Sequence, residues 1–266
     1  MRLSDAQVRR FEEDGFLILP DWFTAQEVAV LREAMTRTFA QESAADIREK
    51  AGGAVRTAMG LHLRDPVFGR LVRHPRFVGP ARQLAGEALY VQQVKINVKA
   101  AFEGELWQWH YDFATHHADD GVPEPRALNL HVFLDDVSEF NGPLYFIRGS
   151  HRQGPAPARH DRTSTSYPLW VVERETVARL AEAGGLVSAT GPAGTALIFG
   201  DCLVHGSPPN FSPWDRAIFS LILNPVSNAY TRTERPDHKH HRDLTPVAAL
   251  EDDCLLRGAE ALPQDG

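Results

Sequence analysis

Leu89-Tyr90-Val91-Gln92-Gln93-Val94-Lys95-Ile96-Asn97-Val98-Lys99 is where the residue pattern turns from helical to alternating. Taken two at a time, Leu89, Val91, Gln93, Lys95, Asn97 and Lys99 share one strand face, and that face becomes polar along its length. A polar inner face fits a barrel that holds a polar ligand. The same pattern also fits an edge strand with that face in water. Downstream, strand-like runs at 127–134, 143–147, 195–199 and 216–224 are separated by Gly, Pro and Asp clusters.

Upstream of residue 87 the signals are helical. Ser4 with Gln7 reads as a capping box for a short helix that Gly15 stops, and Phe16 to Leu19 read as a strand. Thr24 with Glu27 is a second capping box, opening a helix with Val28, Leu31, Met35 and Phe39 on one face. The polar segment 41–57, with Gly52 and Gly53, is expected to be a loop, and 65–86 short helices broken near Pro75. Many short strands behind a helical N-terminal third predict a mainly β fold, a jelly roll with flanking α-helices. The expected organisation is one domain over 1–266: a helical part to about 86, a barrel over about 87–228 and a polar, solvated tail from about 229. Residues 151–169 are irregular, an insertion or a lid.

A formal net charge of -7 and no basic stripe argue against a nucleic-acid partner. No stretch is apolar enough to span a bilayer, and the start MRLSDAQVRRFEEDG has no export signal. Cys202 and Cys254 are read as free thiols. Together these predict a cytoplasmic protein with a small-molecule substrate and allow a homodimer.

The chemistry centres on Trp107-Gln108-Trp109-His110-Tyr111-Asp112-Phe113. Read as a strand, this segment points His110 and Asp112 to one face. His205, 95 residues after His110 and just beyond the apolar run Thr195 to Phe199, would complete two imidazoles and one carboxylate. Such a facial triad leaves coordination positions open and suits Fe(II) oxygenases. An H-x-D pair alone is a weak signal. Arg216, 11 residues after His205, enters the apolar strand Ala217 to Leu223. An arginine there requires an anion, supplied by an internal Asp or Glu or by a dicarboxylate co-substrate.

His110-Tyr111-Asp112, Asn141-Gly142-Pro143-Leu144, Gly149-Ser150-His151, Gly191-Pro192-Ala193-Gly194, His205-Gly206-Ser207 and Arg216 together resemble the phytanoyl-CoA dioxygenase superfamily. The branch most similar holds ectoine hydroxylase and free L-proline 4-hydroxylase. The resemblance runs from about Phe11 to Val247 and implies a double-stranded β-helix (cupin-like), Fe(II), 2-oxoglutarate and O2. It implies that His110, Asp112 and His205 bind the metal and that Arg216 anchors 2-oxoglutarate. Gln93, Asn97, Trp107, Asn129 and Ser207 are further candidates for the co-substrate pocket, and His116, His131 and Phe199 for substrate. Two positions depart from the ectoine pattern: His116 stands where Trp is usual, and Ser220 where ectoine hydroxylase carries an aromatic. Asp112 speaks against a halogenase, in which Gly or Ala typically stands there.

The implied reaction couples conversion of 2-oxoglutarate to succinate and CO2 with hydroxylation of an unactivated C–H. The expected substrate is a small amino or imino acid, proline-like first, with tailoring of a larger natural product as the alternative. Other readings of the same ligand set are a Zn hydrolase and a non-catalytic small-ligand binder. His238, His240 and His241 are read as a solvated cluster, His131 as a core histidine with a hydrogen-bond partner, and Cys202 as structural.

Overall fold

The computed structural model describes residues 1–50 and 53–257; Gly52 of the expected loop and the last part of the tail lie outside these. The helical part opens with α1 (Asp5–Asp14), closed by both halves of the Ser4/Gln7 capping box and by Gly15 at φ 89°. β1 (Phe16–Leu19) leads to α2 (Ala25–Phe39), whose Thr24/Glu27 capping box is likewise formed. α3 (Pro66–Leu71) and α4 (Pro75–Ala85) each begin on a proline, whose missing N–H costs nothing in a first turn.

Between α2 and α3, 41–57 is not simply a loop. β2 (Asp46–Arg48) and β3 (Val55–Met59) form an antiparallel pair, and β3 pairs on with β4 (Leu89–Lys99). Polar composition hid the pair, because these strands are held by edge pairing and ion pairs rather than by an apolar run.

The remaining strands are β5 (Trp107–His110), β6 (Leu128–Phe133), β7 (Leu144–Ile147), β8 (Ala158–Asp161), β9 (Leu169–Val172), β10 (Leu186–Ala189), β11 (Ala196–Gly200), β12 (His205–Ser207) and β13 (Arg216–Pro225). Helix α5 (Asp112–Asp120) follows β5, and α6 (Arg174–Gly184) follows β9. Among the described residues, a seven-stranded sheet has the order β1-β11-β6-β13-β4-β3-β2, and a four-stranded sheet β10-β7-β12-β5. These are the two sheets of a jelly roll, a double-stranded β-helix.

The large sheet has two differently filled faces. Its outer face packs Val94, Ile96, Leu130, Val132, Phe219 and Leu221 against α2, α3 and α4, in one core that also takes Val247 and Leu255 from the tail. Each such side chain contributes roughly 1.5–3 kcal/mol when fully buried. Its inner face carries Phe133, Phe199 and Ile218 toward Leu144 and Phe146 of the small sheet. Leu89 and Val91 do not share the face of Gln93. They join the outer core, because the register with β13 skips Gln92 between Gln93 and Val91. One extra residue in a bulge reverses the alternation.

Residues 151–169 are not wholly irregular: they hold β8, which pairs with β9 beginning at Leu169. The tail is docked, not solvated: His240 is buried, its Nδ1 3.0 Å from Asp120, and the His241 N–H donates to the Gln92 carbonyl.

Candidate active site

The two histidines of the triad are brought together by strand pairing. β12 pairs antiparallel with β5 so that His205 lies opposite His110, with ring centroids 4.1 Å apart. Asp112 arrives differently from the expected strand alternation. The strand ends at His110, and Asp112 is the first residue of α5, where a carboxylate is favoured by the helix dipole. Its oxygens lie 3.8 Å from His110 Nε2 and 3.9 Å from His205 Nε2. One ligand atom from each of the three residues falls within 4.8 Å of the others.

Each imidazole is oriented from behind. Nδ1 of His110 donates to the Gln108 carbonyl at 2.6 Å, and Nδ1 of His205 to the Leu203 carbonyl at 2.9 Å. That tautomer leaves both Nε2 lone pairs free for a metal. Burial, helped by His205, pushes His110 down to about 3, so it is neutral and ready to ligate at physiological pH. Burial by itself would raise Asp112, but His205, Lys95, His110 and His116 outweigh it and hold the carboxylate ionised. The donor set fits one divalent ion with open positions on the pocket side, as an Fe(II) oxygenase requires.

Arg216, 1% exposed, enters the barrel at the start of β13. Nε and Nη2 donate to the Gly142 carbonyl, and Nη2 to Ser207 Oγ, which itself donates to the same carbonyl. Gly142 must be glycine: at φ 77° an added Cβ would sit 2.5 Å from Lys99 Cδ. No carboxylate pairs with Arg216 among the described residues. Burial pushes its pKa down to about 9, so it stays charged at neutral pH and lacks an anion. Asn129 also lines the pocket, and its Nδ2 has no hydrogen-bond partner among the described residues. A buried cation without a paired carboxylate, in the same pocket as the metal ligands, fits a dicarboxylate that also chelates the metal.

The pocket encloses about 760 Å³, including the space at its mouth. Gln93, Asn97, Trp107, Asn129, Ser207, His116 and His131 all line it. Gln93 and Asn97 are partly engaged: Gln93 Nε2 donates to the Lys239 carbonyl, and Asn97 Oδ1 accepts from Thr57. Trp107 lies between the Arg56 guanidinium, 4.1 Å from its ring, and Tyr167 at 5.3 Å. His131 is both a core and a pocket residue, since Nε2 meets Ser220 Oγ at 2.8 Å. His116 is paired with Asp201 at 3.0 Å.

Phe199 departs from expectation. It is fully buried behind the wall, its ring 5.0 Å from His205 and 4.9 Å from His131, so it props these rings and is not a lining residue. Lys95, Tyr167 and Arg235 are among the lining residues that carried no role in the sequence. Lys95 shares the polar face of β4, which is a usable signal. Tyr167 and Arg235 come from the insertion and the tail, whose local patterns carry none.

The sequence pattern of phytanoyl-CoA dioxygenase (PhyH) matches residues 11–218, spanning every strand that bears a ligand. The chain belongs to the phytanoyl-CoA dioxygenase family. Within it, the chain is 40% identical to L-proline trans-4-hydroxylase of Streptomyces griseoviridis over 263 residues, covering 95% of this chain and 98% of that protein. It is also 40% identical to ectoine dioxygenase of Bordetella bronchiseptica over 253 residues, covering 89% and 82%. The crystal structure of EctD from S. alaskensis with 2-oxoglutarate and 5-hydroxyectoine superposes with a TM-score of 0.83 at 34% identity, over 94% of this chain and 87% of that one. Family membership thus coincides with a jelly roll, a triad of metal donors and a buried arginine that has no counter-anion among the described residues. Among the described residues, no helix is long and apolar enough to cross a membrane.

Proposed function

We propose that this protein is an Fe(II)- and 2-oxoglutarate-dependent dioxygenase that hydroxylates a C–H of a small amino or imino acid, proline-like first. The observation that carries this reading is the juxtaposition of a His110–Asp112–His205 donor set with Arg216, a buried cation that pairs with no carboxylate among the described residues. Neither a Zn hydrolase nor a passive binder has use for both. Iron, when bound, supplies oxygen activation coupled to decarboxylation of the co-substrate.

The chain's residues do the rest. His110, Asp112 and His205 fix the metal, oriented by the Gln108 and Leu203 carbonyls. Arg216 and Ser207 take the far carboxylate, with Asn97 and Trp107 in that wall, while Gln93 and Asn129, both opposite Ile222, line the pocket six residues of strand away from Arg216. Tyr167 and Leu169 wall the pocket on the insertion side, and Arg235 on the tail side, which excludes water and favours a small substrate over a large natural product. The near-complete mutual coverage with L-proline trans-4-hydroxylase supports the proline-like choice. Ectoine is the second reading, favoured by the likeness to EctD. Against it stand His116, held by Asp201, and Ser220, held by His131.

The same reading includes a single domain and, from two buried free thiols, a cytoplasmic location. A homodimer is proposed as its assembly, for which sizing in solution is the check. The function is tested by succinate formation with Fe(II), ascorbate and 2-oxoglutarate across L-proline, L-pipecolate and ectoine. Succinate that depends on one of these, with a product one oxygen atom heavier, is expected. No stimulation by any of them would sink the small-amino-acid reading.

A further inference from the structure

Three cations line the pocket: Arg216, Arg235 and Lys95. Arg216 is accounted for by the co-substrate. Arg235 is already compensated, because Nη1 meets Asp120 Oδ2 at 3.0 Å and Nη2 donates to the Lys239 carbonyl. Lys95 differs from both. Its Nζ has one hydrogen bond, donated to Gln93 Oε1 at 2.7 Å, and no carboxylate lies within ion-pair distance of it among the described residues.

The acids of the pocket region are all engaged elsewhere. Asp112 faces the metal, Asp201 pairs with His116, and Asp120 is shared by Arg235 and His240. Nor does Lys95 share Arg216's place on the sheet. Arg216 lies opposite Lys99, whereas Lys95 lies opposite Ser220, which in turn faces His131. Four residues of strand separate the two rows, about 13 Å of backbone. Ser220 is fully buried with its hydroxyl taken by His131, and the two residues that flank it in this row, Lys95 and His131, both line the pocket. A half-buried ammonium needs an anion in a water-poor site, and a diacid already held by iron and Arg216 has no third carboxylate to offer.

Building on the hydroxylase reading, we propose that Lys95 receives the α-carboxylate of the substrate. It is a specificity-determining residue that selects free carboxylates and fixes which C–H faces the metal. Gln93 steers the ammonium: its Oε1 accepts from Lys95 Nζ while its Nε2 is anchored to the tail at the Lys239 carbonyl. A neutral amide of the same ring would leave the ammonium unpaired and bind poorly.

The test is calorimetric titration of L-proline and L-prolinamide into iron- and 2-oxoglutarate-loaded protein without oxygen, for wild type, Lys95→Met and Lys95→Arg. Wild type should bind L-proline and discriminate against the amide. Lys95→Met should weaken L-proline roughly 10- to 100-fold, the loss of one charge-assisted contact. It should leave the KM for 2-oxoglutarate within about twofold of wild type. Lys95→Arg should restore most of the affinity. Unchanged L-proline binding by Lys95→Met, or a loss confined to 2-oxoglutarate, would overturn the assignment. If Lys95→Met fails to fold, the amide discrimination of wild type decides instead, since equal binding of amide and acid would equally overturn it. Succinate formed without substrate reports the oxygenase reading separately. If it persists while neither L-proline, L-pipecolate nor ectoine binds, the Lys95 assignment falls and the oxygenase reading stands. If L-proline binds through Lys95 and no succinate forms, the oxygenase reading falls instead.

Discussion

Replacing Asp112 with alanine removes the carboxylate from a donor set whose other two members are imidazoles. Loss of an outer-shell partner already costs 10- to 100-fold in metal affinity, so loss of a ligand should cost about 100-fold or more. Asp112→Ala is therefore expected to retain the fold, lose iron on desalting and form no succinate above background. Iron content and succinate are the measurements, and unchanged succinate would contradict the ligand assignment. At this scale the sequence was informative where chemistry restricts residue type. Two histidines, an aspartate and an arginine entering an apolar strand are few and costly to bury. It was less informative about how they meet: Asp112 reaches the site as the first residue of a helix, not by the alternation of a strand. Phe199 is aromatic and inward, which from sequence looks like a pocket wall. Only the positions of the His205 and His131 rings show that it lies behind one.

At the scale of elements, the β2–β3 pair and the insertion are joined through one buried charge cluster. Arg56 Nη1 donates to Glu49 at 3.2 Å and to Glu105 at 2.9 Å, Glu105 in turn accepts from Ser166, and the Arg56 guanidinium lies on Trp107. Ser166 precedes Tyr167, so the cluster links the strand pair to the position of a pocket-lining aromatic. Removing the cation leaves Glu49, whose side chain is 2% exposed, buried and unpaired. Breaking such a pair typically costs about 3–5 kcal/mol. Arg56→Met should lower the melting temperature by several degrees and expose the 161–167 segment to proteolysis. A melting curve and digestion pattern identical to wild type would show that the cluster does not hold the insertion. Helices and central strands were legible because capping boxes and apolar runs are local signals. The β2–β3 pair was not, since its stability comes from Arg56 and Glu49 within the hairpin and Glu105, 49 residues from Arg56, all of which look like ordinary surface charge.

At the scale of the whole molecule, the tail closes the barrel, and its seam is lined with histidines. His240 bonds to Asp120, and the His241 ring packs edge-on to His62 at 4.7 Å, with Asp237 next to His241. Burial, aided by His241, pushes His62 down to about 4, and burial also lowers His240 and His238. These groups favour the neutral form when folded. The unfolded chain therefore binds more protons between the ordinary histidine value, about 6.5, and the depressed one. The stability they permit is fully present above about 6.5 and is lost as pH falls toward about 4. Metal-free protein should accordingly melt at progressively lower temperature across that window. His110, lowered to about 3, adds to the slope until iron occupies its Nε2. His62→Leu cannot take up the proton in the unfolded state and keeps the contact with His241 apolar. It should flatten the dependence of melting temperature on pH between about 6.5 and 4 while leaving the value near pH 8 little changed. Equal slopes for variant and wild type would place the acid sensitivity elsewhere. A shallower slope would show that the polar composition of this segment conceals a packed closure of the barrel, in which histidines are held neutral by the same burial that shuts the pocket.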